Sequence, residues 1–424
     1  MARRRVVRAV PNTIPNQIPN QQQRTSSGNS KERNKKAAKV KDYQTSKGYK
    51  ETILAGNMDL PFFIIVMILL VMGIVMMFSA SYAWAIHEGT DGLYYAKKQI
   101  MFAGLGLVAM LIASKIDYHI FRKIWIAYGV FFIALIMLIL VPFIGPPING
   151  AQRWIYIGTF NFQPSEIMKV AIIILFSYII SVNYSRMKLF RFGMLPFLLI
   201  LGLVAGLMML EPHLSGTILI CSIGLIMVFV GGAKLSHLIG TAMVGIAGLV
   251  GAVLYLMNTK GFGYFSTRMQ SWLDPFSDTT SKTWQTQQSL IAIGSGGLFG
   301  MGLGNSRQKY LYLPQSKNDF VFAIVCEELG FIGAMMVILL FALFIFRGFY
   351  IASKSPDKFG MMLAVGITVQ IGLQALLNIA VVTNTIPNTG ISLPFFSYGG
   401  TALTMQLAQM GIILNISRQS TIET

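Results

Sequence analysis

Two carboxylates, Asp274 and Asp278, stand four residues apart in a polar stretch, residues 258–319, that interrupts an otherwise apolar chain. Asp274 precedes Pro275 and reads as a turn residue whose side chain bonds nearby backbone. Asp278 can do the same, or it can act as a general base that takes a proton from a sugar hydroxyl. Other chemistries find little material. Cys221 and Cys326 lie in apolar runs and read as small buried residues rather than as a disulfide or a zinc site. The four histidines are too few and too scattered for a typical zinc hydrolase, and no Ser-His-Asp order is present. The glycine series 294–304 lacks the Gly-Lys-Ser/Thr ending of a phosphate loop.

A second group of candidates flanks the apolar runs. Pro164 followed by Glu166 reads as a helix start with a carboxylate at the positive end of the helix dipole. Lys169 falls one turn later, three residues from Glu166, where an ion pair at the edge of a membrane helix is costly to bury and often functional. Just before them, Arg153 can hold a phosphate through paired hydrogen bonds, and Trp154 marks an interface. Glu211-Pro-His-Leu-Ser-Gly-Thr217 breaks an apolar run and reads as a hairpin; a lone His213 makes no metal site. Glu327 and Glu328 lie about two turns inside a predicted span, with Asp319 on roughly the same face as Glu327. Charges that deep require a polar cavity or a partner. Asn384 to Pro394 and Ser397-Tyr-Gly-Gly-Thr401 form an irregular segment in which Gly399-Gly400 admits a close approach.

These residues need a scaffold, and composition names it. The chain is 54% hydrophobic and 12% charged. Several apolar runs reach the ~20 residues that cross a bilayer as a helix, and the alternation of a membrane β-barrel is absent. An all-α polytopic membrane protein with about ten transmembrane helices is expected. The spans are placed at about 60–86, 99–115, 124–145, 167–183, 194–210, 214–231, 237–257, 320–346, 359–382 and 395–416. One large extracellular loop, 258–319, separates spans seven and eight. The net charge of +18 does not point to nucleic acid, because it is concentrated in residues 1–57. Thirteen Lys or Arg fall in the first 50 residues against Glu32 and Asp42. That segment reads as a disordered basic arm that touches anionic membrane lipid on the cytoplasmic side. Further basic connectors at Arg122/Lys123, Arg186 to Arg191, Lys234 and Arg347 to Lys358 share its side, so both termini, including the tail 418–424, are expected in the cytoplasm.

The motifs together resemble the SEDS family of bacterial cell-wall polymerases, which includes FtsW, RodA and SpoVE. The carriers are Asn149-Gly-Ala-Gln-Arg-Trp154, Gln163-Pro-Ser-Glu166 with Lys169, Trp272-Leu-Asp-Pro-Phe-Ser-Asp278, Gln288-Ser-Leu-Ile-Ala-Ile-Gly294, Gly302-Leu-Gly-Asn305, Asn318-Asp-Phe-Val-Phe-Ala323, Glu327-Glu-Leu-Gly330 and Leu393-Pro-Phe-Phe-Ser-Tyr-Gly-Gly400. The resemblance covers 58–417, and the long arm with Gly302 to Ser306 looks most like the FtsW branch. It implies a peptidoglycan glycosyltransferase that polymerises lipid II during cell division. The family's essential aspartate falls on Asp278, and Gln285 keeps its spacing. Thr279, Ser281, Thr283 and Trp284 stand where Pro, Gly, Gly and Tyr are usual, and Glu211 and His213 replace a Gln and an Asp. Arg153, Lys169 and Arg268 are then expected on the pyrophosphate, with Glu166, Gln285, Asp319, Glu327 and Ser397 also contacting substrate. A divalent cation, Mg or Mn, could assist the leaving group, although no ligand set stands out. The implied partners are a class B penicillin-binding transpeptidase, whose membrane helix would pack on spans eight and nine, and other division proteins. The alternatives are a lipid II flippase that would depend on Glu166, Lys169, Glu327 and Glu328 rather than on Asp278, a scaffold acting through the basic arm, and the elongation or sporulation paralogue with the same chemistry.

Overall fold

The computed structural model describes residues 56–146, 152–157, 160–211, 213–241, 243, 245, 262–277 and 283–419. The basic arm, most of the seventh expected span and Asp278 lie outside the described residues.

Helix α1 (Leu60–His87) begins where Asp59 accepts a hydrogen bond from the Phe62 amide at 2.9 Å, with Pro61 in the first turn. α2 (Tyr94–Ala113) and α3 (Ile124–Ile144) follow. Two short strands, β1 (Ile155–Ile157) and β2 (Phe160–Phe162), pair antiparallel with Ile155 opposite Phe162. α4 (Pro164–Asn183) starts at Pro164, as the Pro-Ser-Glu sequence predicts. α5 (Leu195–Leu210) and α6 (Leu214–Val230) are joined by a tight connector at Glu211 to His213. The stretch expected as a loop contains two helices, α7 (Phe262–Leu273) and α8 (Trp284–Ser295). α9 (Val321–Ser353), α10 (Lys358–Val382) and α11 (Gly400–Gln419) complete the chain.

The protein is nearly all helical and multi-pass. Seven of the described helical segments are long and apolar enough to span a bilayer. The other expected spans differ for identifiable reasons. α6 has 17 residues. α11 has 20 residues but turns Gln406, Gln409, Asn415 and Ser417 into the protein, so its polar side chains lower its hydropathy. Residues 246–257 are not described.

α10 is central, packing on α4, α6 and α9, while α11 lies along α2 and α1 lies on α9. The core joining them is apolar and includes Phe176, Phe197, Phe344, Phe359 and Phe396. The connectors gather at two ends. At one end Arg347 in α9 forms a two-pronged ion pair with Asp59 (Nη2–Oδ2 2.8 Å), and the Asp59 amide donates to Ser417 Oγ at 3.1 Å. At the opposite end Lys317 meets Glu88 at 3.0 Å, and Trp84 donates to Ser316 at 3.0 Å.

α9 is broken inside. Gly330 takes φ 67° and ψ −168°, a conformation open to glycine. The break frees backbone groups that the loop before it satisfies. Met301 and Gly302 amides donate to the Glu327 and Glu328 carbonyls at 2.9 and 3.1 Å, and the Phe331 and Ile332 amides donate to the Gly297 and Leu298 carbonyls at 2.9 and 3.1 Å. A Cβ on Gly330 would lie 2.3 Å from the Gly300 nitrogen.

Candidate functional site

The polar loops at the Glu88–Lys317 end enclose a cavity of about 530 Å³, within the size range of small-molecule sites. Its wall is drawn from the segment before β1, the start of α4, the α5–α6 connector, the first turns of α6, α7, α8, residues 315–319, α10 and the irregular run into α11. Arg153, Glu166, Lys169, Arg268, Gln285, Asp319 and Ser397, far apart in sequence, all line it.

Each side chain has a structural reason for its place. α4 opens at Pro164, so Glu166 and Lys169 fall on one face, one turn apart. Their ion pair closes at 2.7 Å, and Lys169 is 4% exposed. Lys169 also donates to Gln374 Oε1 at 3.0 Å, and Gln374 in turn donates to the Ser392 carbonyl at 3.0 Å. In α7, Arg268 donates to the Asn388 carbonyl. Asn388 donates to Gln285 Oε1 at 3.0 Å, and Gln285 donates to the Pro314 carbonyl at 3.2 Å. Thus α7 and α8, the helices on either side of residue 278, are fastened to the 384–394 segment by the same residues that line the cavity. Arg153 Nε lies 3.5 Å from the Glu211 carbonyl. Ser397 Oγ donates to the Asn318 carbonyl at 2.6 Å and accepts from the Leu393 amide at 2.8 Å, fixing the turn that enters α11.

The electrostatics favour an anion. Three cations, Arg153, Lys169 and Arg268, face two carboxylates, Glu166 and Asp319, on the wall. Desolvation pushes Asp319 up to about 6 against the pull of Arg268 and Arg153. Burial likewise raises Glu211 to about 8, against Arg153. His213 is driven down to about 3, first by desolvation and then by Arg153 and Lys169. Among the described residues no three His, Cys, Asp or Glu side chains converge as metal ligands.

The profile of the FtsW/RodA/SpoVE family, described as cell cycle protein, matches residues 59–422. The chain belongs to this family. A stage V sporulation protein E from Bacillus subtilis (strain 168) is 42% identical over 85% of this chain and 97% of its own. A probable peptidoglycan glycosyltransferase FtsW from Geobacter sp. (strain M18) is 37% identical over 85% of this chain and 96% of its own. Among solved structures, a chain of a peptidoglycan synthase complex that coordinates polymerization and crosslinking superposes with a TM-score of 0.71 at 26% identity, covering 86% of this chain and 99% of that one.

In this FtsW/RodA/SpoVE-family chain, one expected substrate residue stands apart. Glu327 does not line the cavity. Its carboxylate accepts from Ser306 Oγ and from the Arg307 and Gln308 amides, while Glu328 holds Ser79 Oγ at 2.6 Å and Lys309 Nζ at 3.0 Å. The two glutamates therefore fasten the loop to α9 and α1 beside the Gly330 break. Asp274 makes its turn through its carbonyl, which accepts from the Ser277 amide and hydroxyl at 3.4 and 2.9 Å. The cavity also contains Gln163 and Asn388, which the sequence motifs include without a substrate role, and Gln374, which sequence reasoning passed over. A signal for Gln374 exists: Gln370, Gln374 and Asn378 recur every four residues in an apolar run, a polar stripe on one helix face.

Proposed function

We propose that this protein is a peptidoglycan glycosyltransferase that polymerises lipid II on the outer side of the bacterial cell membrane at the division septum, with Asp278 as general base. Membership of the family and the names carried by its relatives support the glycosyltransferase activity. The observation that carries the site is the grouping of Arg153, Lys169 and Arg268 on one cavity wall. A lipid-linked diphosphate needs such a wall, and planar guanidinium groups suit phosphate oxygens. Asp278 would accept the proton of the acceptor's 4-hydroxyl as that oxygen attacks the anomeric carbon of the lipid-linked chain. The diphosphate leaves with its bonding electrons, stabilised by the cations. Glu166, held by Lys169, keeps that lysine aimed at the cavity. Gln285 and Ser397 hold the loops that form the remaining wall, and Asp319 contributes a carboxylate beside Arg268. A class B penicillin-binding transpeptidase packs on α9 and α10 in this reading.

The test is lipid II polymerisation by the purified chain with its cognate transpeptidase in liposomes, compared with Asp278→Ala. Glycan strands from the parent and a loss of at least 10³-fold in the variant are expected for removal of a general base plus the order it imposes. Equal product from both removes Asp278 from the mechanism. The similarity to the sporulation protein from Bacillus subtilis favours a second reading of the biological role, with the same chemistry used in spore formation. A conditional deletion separates the two: filaments without septa support division, and normal growth with defective spores supports the alternative.

A further inference from the structure

Trp154 and Tyr156 follow Arg153 in the chain, and both line the cavity. Trp154 directly precedes β1 and Tyr156 is its middle residue, so the two side chains leave the extended backbone on the same face. Two contacts hold this strand at the cavity rim. β1 pairs with β2, and β2 touches α11, whose first residues also line the cavity. The Trp154 carbonyl lies against the end of α3, where a Cβ on Gly145 would sit 2.8 Å from it. The rings themselves fasten nothing. Among the described residues neither stacks on another aromatic ring nor makes a side-chain hydrogen bond, and Tyr156 is 48% exposed.

Open aromatic rings beside a wall of cations fit a ligand that is anionic at one end and carries flat C–H faces further along. The three residues of extended chain from Arg153 to Tyr156 cover about 10 Å, comparable to two linked sugar rings. A pyranose suits an aromatic side chain. Its C–H groups meet the electron-rich face of the ring, and its hydroxyls stay at the edge, where polar side chains bond them. Such side chains, Gln163 and Asn388 among them, line the same cavity. Trp and Tyr also anchor proteins at bilayer surfaces, but an anchor faces lipid headgroups, and these two rings share a wall with Arg153, Lys169 and Arg268.

Building on the reading of the cavity as a diphosphate site, we propose that Trp154 and Tyr156 form a saccharide subsite at its rim, in which Trp154 stacks on the sugar bonded to the diphosphate and Tyr156 stacks on the next sugar along. Arg153 marks the boundary between the two parts of the site: its guanidinium takes phosphate oxygens, and the aromatics after it take the glycan. The order follows from the chain. The first sugar is joined directly to a phosphate oxygen and lies beside Arg153, and the second is a ring further out. Neither aromatic makes or breaks a bond. Together they select a diphosphate that carries two sugars over one that carries a single sugar.

The probes are two diphosphate diesters of equal charge, a short prenyl-diphospho-N-acetylglucosamine and the corresponding prenyl-diphospho-diacetylchitobiose. Binding of each to the full chain in nanodiscs is measured by calorimetry. The parent is expected to bind the disaccharide probe roughly fivefold tighter than the monosaccharide probe. Tyr156→Ala is expected to bring the disaccharide down to the monosaccharide's affinity and to leave the monosaccharide within about twofold of the parent; that second reading also shows that the variant is folded. Tyr156→Phe keeps the ring and is expected to bind both probes as the parent does. Trp154→Ala is expected to weaken both probes by a similar factor. A parent that binds the two probes equally overturns the proposal. So does a Tyr156→Ala variant that keeps the preference for the disaccharide, or one that weakens both probes alike, since the ring would then serve the fold or the membrane surface. A parent that binds neither probe overturns instead the diphosphate reading of the cavity on which the proposal rests.

Discussion

Lys169 is where a single side chain supports both fold and site. It is nearly buried, and its ammonium is shared between Glu166 at 2.7 Å and Gln374 at 3.0 Å. Removing one partner of such a pair costs more than the pair is worth, because a charge is left without compensation. Glu166 borders a polar cavity, which moderates the loss. Lys169→Met is expected to destabilise by about 1–3 kcal/mol, read as a lower unfolding midpoint in detergent, and to weaken binding of a prenyl diphosphate at least tenfold. The double variant Glu166→Gln/Lys169→Met is expected to regain stability but not binding, since the two sites touch and their effects are not additive. Binding that survives in either variant would take Lys169 out of the anion site. The pair was legible in the sequence because a proline-led helix start and a three-residue spacing are local signals. Gln374 is marked in the sequence by its polar stripe, but its pairing with Lys169 is not, because the two lie about 200 residues apart and only a fold brings them together.

At the scale of elements, the joint between α9 and the glycine loop decides the geometry. Four backbone hydrogen bonds cross the Gly330 break, and the Glu327 and Glu328 carboxylates clamp residues 306–309 beside it. Gly330→Ala puts a side chain both into a left-handed backbone and into the Gly300 backbone. A loss of about 3 kcal/mol or more is expected, combining strain with a steric clash. Thermal unfolding together with limited proteolysis of the 296–312 region checks it, and an unchanged midpoint would mean that α9 can run straight. Sequence reading found the two glutamates and asked what partner they had. The expectation that Glu327 contacts substrate came with the family resemblance, and no local pattern shows that Ser306 and the Arg307 and Gln308 amides fold back onto its carboxylate. The helices α7 and α8 fall in a stretch expected as loop because, at 12 residues each, they are too short to cross a bilayer, although Phe262, Phe265, Met269 and Trp272 of α7 recur at helical spacing.

At the scale of the whole molecule, the end opposite the cavity is closed by a histidine between two acids. His119 Nδ1 lies 2.7 Å from Asp117 and Nε2 lies 2.6 Å from Asp357, so the connector after α2 is tied to the start of α10. Gln419 and Asn415 at the end of α11 join the same cluster, through Asp117 at 3.1 Å and the Tyr118 amide at 3.0 Å. Burial opposes the imidazolium, but the hydrogen bonds to Asp357 and Asp117 outweigh it and raise the His119 pKa. Burial likewise opposes the carboxylates, yet their bonds to His119 lower both. A raised histidine stabilises fully below its unfolded value, about 6.5, and loses that stability as pH rises through the folded value; lowered carboxylates stabilise above about 4 and lose it on acidification. The junction is therefore strongest in the mildly acidic range. The unfolding midpoint is expected to fall between pH 6 and pH 8.5 by the equivalent of about 1 kcal/mol, and His119→Asn is expected to flatten this dependence. A midpoint that rises over that interval, or a variant with the parent's slope, would contradict it.

The joint at Gly330 also sets where the chain can change length. Residues 296–302 are read by α9 one backbone group at a time, so inserting or deleting a residue there shifts every donor and acceptor out of step. Tyr310 and Tyr312, in the turn that follows the clamp, are half-exposed or more, and extra residues there displace nothing that α9 holds. Length variation among descendants of this sequence is thus confined to the turn and barred from the glycines, whatever the side chains do.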